Sequence, residues 1–136
     1  MRVQYGDADP NGLASMIGGL IEANLAADPS RRRLLSPQAV IGIEARDADV
    51  ACTVRLSPSG VLVSNGLNGT PSVVVRADTE TLIGLTTAPL RFGYPDALTA
   101  AGRAVTERLM RRDLTVRGLL RHPVLVSRLT RLLSVA

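Results

Sequence analysis

The chain has 136 residues, 46% hydrophobic and 21% charged, the size and balance of one globular domain spanning 1–136 with a core of its own. Tyr5, Tyr94 and Phe92 are its only aromatics, so the stacking platforms used by single-stranded nucleic-acid binders are missing, and no nucleic-acid partner is expected. All 16 basic residues are arginine, and the net charge of +4 is uneven: residues 101–136 carry eight Arg against Glu107 and Asp113, while the first hundred are net acidic.

The opening MRVQYGDADP is too polar for a signal peptide. The most apolar stretch, Leu13 to Ile21, is far shorter than the ~18 residues of a membrane span, so a cytoplasmic protein is expected. After the polar lead comes a predicted helix capped by Asp9 or Asn11, with Leu13, Met16, Ile17, Leu20, Ile21 and Leu25 on one face. DPSRRRLLSP repeats the start signal with Asp28 and Pro29 and stops at Pro37. Its arginines, Arg31 to Arg33, read as solvated.

The period then changes to two. AVIGIEAR, VACTVRLS, GVLVSN and SVVVRA are β-branched runs separated by short polar turns, which predicts four strands in an antiparallel meander. Ile41, Ile43 and Ala45 share a face, as do Val50, Cys52, Val54 and Leu56, and Val73, Val75 and Ala77. Glu44, Arg46, Thr53, Arg55 and Arg76 lie on the opposite, wetter face. Asp78 can cap a short helix, TETLIGLTT, and a longer one follows with Leu98, Ala101, Val105 and Leu109 on its apolar side. The strand LTVRG and a helix opening at Pro123 come last. The order predicts an α+β fold with helices on one face of a sheet.

Catalytic signatures are missing. Without lysine there is no Walker A loop and no Schiff-base lysine, and neither G-x-S-x-G nor G-x-G-x-x-G occurs. His122 is the only histidine and Cys52 the only cysteine, which leaves no metal site to expect. His122 reads as a helix-start residue and Cys52 as packing. GLNG (66–69) lies between strand-like runs, so it reads as a turn and not as the backbone clamp of KH modules. Asp78 and Glu44 are the conceivable general bases in an apolar cavity; Asp78 is expected to cap a helix instead, and Glu44 to face water.

The closing stretch LTVRGLLRHPVLVSRLTRLL resembles the end of the sterol carrier protein type two domain, a lipid-transfer family. Leu114, Val116 and Gly118 fit its last strand, and Leu125, Leu129, Leu132 and Leu133 fit its Leu-rich amphipathic helix. SVVVRADTETLIGL resembles the family's strand that ends in an Asp opening a short helix, with Ala77, Asp78, Leu82 and Leu85 in register. The stretch TTAPLRFGYPDALTAAGRAVTERLMRRD departs from the pattern in being longer, helical and free of lysine.

The resemblance implies a five-stranded, mostly antiparallel sheet with helices on one face, enclosing an apolar tunnel. It implies binding and transfer of a fatty acyl chain, fatty acyl-CoA or sterol, without catalysis and without a cofactor. The alternative is an accessory protein-interaction domain of a lipid-metabolising enzyme complex. The expected apolar lining is Leu13, Ile17, Leu20, Ile21, Leu82, Leu85, Leu98, Val105, Leu109, Leu125, Leu129 and Leu132. Arg121, Arg128 and Arg131 are expected to stay in water, ready for an anionic membrane.

Overall fold

Asn11 starts the first helix: its side chain accepts from the Ala14 backbone N–H at 2.8 Å, so it is the cap. In this computed structural model, which describes residues 2–87, 90–91, 94–95, 103 and 114–135, that helix is α1, Gly12–Ala27. It follows a strand, β1, Arg2–Tyr5. Pro29–Leu35 forms a short 3-10 helix, opened by Asp28 and ended before Pro37, where the start and stop signals put it.

The four β-branched runs are β2 (Ala39–Ala45), β3 (Val50–Ser57), β4 (Gly60–Asn65) and β5 (Val73–Ala77). Then come α2 (Thr79–Thr87), a two-stranded piece of β6 (Leu90–Arg91) and β7 (Tyr94–Pro95), β8 (Thr115–Arg117) and α3 (Pro123–Leu133). Asp78 caps α2 as expected, its carboxylate accepting from the Thr81 N–H at 2.7 Å.

Among the described residues the sheet has six strands in the order β1-β4-β3-β2-β5-β8 and is mixed, which corrects the expectation of five mostly antiparallel strands. β2, β3 and β4 do form an antiparallel meander, but β5 pairs parallel with β2, and β1 pairs parallel with β4. The segment between β4 and β5 is therefore a crossover and not a hairpin. It runs over the outer face of the sheet, where Asn68 N donates to Thr53 Oγ1 and Thr53 Oγ1 donates to Gly66 O. Leu67 lies over Gly42, where a Cβ would come within 2.7 Å of its methyl. Thr53 and Val74, both on the outer face, are consequently buried. Glu44, on the same face, stays partly exposed and pairs with Arg76 at 3.6 Å.

The inner face is aliphatic. Ile41, Ile43, Val54, Leu56, Val63 and Val73 are all fully buried, in one aliphatic cluster with the inward residues of α1 and α3. At about 25 cal/mol per Å² of apolar surface withdrawn from water, this layer supplies the main drive to fold. Cys52 belongs to it, as packing: it is 0% exposed, and burial pushes its thiol up to about 12. The folded state thus keeps a proton that the unfolded chain gives up near 9.0. The contribution of Cys52 to stability is expected to be constant below that value and to be lost, at roughly 1 kcal/mol per pH unit, from there towards 12. Urea denaturation at stepped alkaline pH checks this, with Cys52→Ala expected to flatten the decline.

Candidate functional site

The region beneath α3 gathers most of the expected lining. Gly118, at φ +89°, turns the chain sharply off β8, and Pro123 suits the first turn of α3 because it needs no amide donor there. Leu125, Val126, Leu129, Leu132 and Leu133 then point inward at helical spacing. Leu13, Ile17, Ile21 and Leu82 are buried in the same continuous cluster as Leu125, Leu129 and Leu132. Leu20 and Leu85 pack against it, half-buried. Leu98, Val105 and Leu109 lie outside the described residues.

The arginines divide differently from expectation. Arg121 is exposed and Arg131 half-buried, but Arg128 is only 8% exposed, and this corrects its place among the solvated residues. Its Nε donates to Leu34 O at 2.7 Å and its Nη2 to Pro37 O at 2.6 Å. Those carbonyls sit where the 3-10 helix ends and no further turn supplies a donor, a gap that a forked guanidinium fills. Burial lowers its pKa below the usual arginine value.

Arg31, read as solvated, returns the favour. Its Nη1 donates to Arg131 O at 2.9 Å and to Ser134 O at 2.7 Å, covering carbonyls at the end of α3. Asn24 of α1 adds a third bond there, from Nδ2 to Leu132 O at 2.7 Å. The 3-10 helix and α3 therefore exchange one arginine each. A clue was present for two of these residues: Asn24 and Arg128 stand on the buried stripes of their helices, among Ile17, Ile21 and Leu25, and among Leu125, Leu129 and Leu132. A polar side chain at such a position has to find partners inside.

At the other end of α3 the surface opens. A cleft of about 370 Å³ is lined by Pro37, Ala39, Ser72, Arg121, His122, Val124, Leu125 and Arg128, among others. A shallow trough of about 730 Å³ shares Gln38, Ala39 and Ser72 with it and continues along the sheet end past Arg55, Ser57, Ser59 and Gln4. Among the described residues no three His, Cys, Asp or Glu side chains come together as metal ligands. No helix among them is long and apolar enough to cross a membrane.

No protein-family model and no curated protein sequence matches the chain. Solved structures do. One, described as the UbiJ-SCP2 ubiquinone synthesis protein, superposes with a TM-score of 0.59 over 88% of this chain and 91% of its own, at 19% identity. A second, the solution structure of a conserved hypothetical protein of Thermus thermophilus whose description suggests a sterol carrier protein, gives a TM-score of 0.46 at 11% identity. It covers 87% of this chain and 83% of its own.

Proposed function

Starting from a chain that has the sterol-carrier-type (SCP2-like) fold, we propose that it binds a lipid-like molecule without chemistry, in an apolar tunnel between the inner face of the sheet and the helices over it. The observation that carries this reading is the aliphatic layer beneath α3. Ile17, Ile21, Ile41, Ile43, Leu129 and Leu132 offer an acyl chain or sterol dispersion contacts and no polar group to satisfy. The candidate bases are occupied elsewhere, Asp78 in capping α2 and Glu44 in its pair with Arg76, which supports a non-catalytic role.

Native mass spectrometry of the purified protein, followed by titration with fluorescent acyl chains and sterols, tests the proposal. Co-purified lipid or saturable binding is expected, and the absence of both refutes it. A sharper test is Leu129→Ala. At a tunnel wall this change should alter ligand preference and cost less than the roughly 2–5 kcal/mol of an ordinary core truncation. Full core cost with unchanged lipid affinity would make α3 simple core.

A second reading has one observation behind it. The neighbour described as a ubiquinone synthesis protein favours an accessory domain of a lipid-metabolising enzyme complex. It also adds an isoprenoid quinone to the probes. A stable hetero-complex in a pull-down, without ligand binding by the isolated chain, would select this reading over the carrier.

A further inference from the structure

The turn between β8 and α3 exposes what the rest of the chain hides. Leu120 is 96% exposed and Val124 71%, the two most exposed large hydrophobic side chains among the described residues. They bracket Arg121, His122 and Pro123, and Arg117 stands just before the turn, with both arginines in solvent. The turn is well defined, since His122 N donates to Gly118 O at 2.8 Å and Val126 N to His122 O at 3.2 Å. A nearly naked leucine held on an ordered turn beside two cations is not explained by folding, because nothing in the fold gains from it.

We propose that this corner docks on an anionic phospholipid surface, with Leu120 and Val124 entering the acyl boundary and Arg117 and Arg121 meeting the phosphates. Three observations favour a bilayer over a protein. A stable protein interface needs about 800 Å² on each side, with a flat apolar centre, whereas two side chains standing out from a turn make a wedge. The charge matches, because Arg117 and Arg121 both stand exposed beside the two apolar side chains, and anionic leaflets attract such cations. The cleft lined by Arg121, His122, Val124 and Leu125 lies directly beside the wedge and shares Leu125 with the buried cluster. The proposal does not depend on any cargo, so its failure and that of the lipid-binding reading are separable.

The experiment is co-sedimentation with vesicles of phosphatidylglycerol and phosphatidylcholine, set against phosphatidylcholine alone. Wild-type protein is expected to bind the mixed vesicles, and high salt to weaken that binding. Leu120→Ser with Val124→Ser should reduce affinity about tenfold, since each withdraws apolar contact. Arg117→Gln with Arg121→Gln should reduce it about thirtyfold and remove the preference for the anionic lipid. All four positions are exposed, so melting temperatures should match wild type. Failure of wild-type protein to bind either vesicle, as expected of a corner built for a protein partner, overturns the proposal. So does undiminished binding by the serine pair.

Discussion

Arg128→Ala is expected to lower stability by about 3 kcal/mol, an effect normally associated with cutting into a core. The mutation removes both donors from Leu34 O and Pro37 O at once. A buried acceptor left unsatisfied costs about 1–3 kcal/mol, and the lost aliphatic stem adds a packing term. Arg128→Met keeps the stem and separates the two contributions, so it should lie between alanine and wild type. Arg128→Glu should be worst, because it sets a carboxylate against two carbonyl oxygens. Urea denaturation of the series measures the order. An alanine variant within about 0.5 kcal/mol of wild type would return Arg128 to the surface.

Gly118→Ala is expected to be the most damaging single methyl in the described chain, at about 4 kcal/mol. The residue sits at φ +89°, a conformation that costs an L-residue about 1–2 kcal/mol. Its new Cβ would also run into the Ser72 carbonyl oxygen, which is backbone and cannot rotate away. The two costs add because relieving one means moving the turn that links β8 to α3. Gly19→Ala supplies the contrast. It lies inside α1 with nothing within 4 Å of the new methyl, and it should stabilise by about 0.5–1 kcal/mol. Thermal melts of the two variants should shift in opposite directions.

The residues that repeat with a short period were the legible ones. Alternation along β2, β3 and β4 declares which side chains face inward, and the structure places Ile41, Ile43, Val54 and Leu56 there. What alternation does not encode is direction. Val73, Val75 and Ala77 would face inward whether β5 ran parallel or antiparallel to β2, so the crossover was invisible until the pairing was known. The same blindness misplaced Thr53, which is on the outer face as read but buried there by a loop that its local sequence does not foretell. β1 is four residues long and takes its identity from a parallel partner, Gly60 to Val63, far along the chain. At the candidate site the leucine stripe of α3 was readable for the same periodic reason. The roles of Arg31 and Arg128 depend on carbonyls far away in sequence, and no local window contains them.

The arginine exchange also sets an order of events when the chain is made. The bonds from Asn24, Arg31 and Arg128 join residues 91 to 108 positions apart. During synthesis, α1 and the 3-10 helix leave the ribosome long before α3 exists to cover them. Until then Ile17, Ile21 and Leu35, all buried in the finished fold, have no lid above them, and the carbonyls of Leu34 and Pro37 depend on water. Non-local contacts of this kind close slowly, because the loop entropy is spent before the contact rewards it. Residues 125–134 therefore act as the closing stitch, and a nascent chain stalled short of them would present its aliphatic interior to whatever lies nearby.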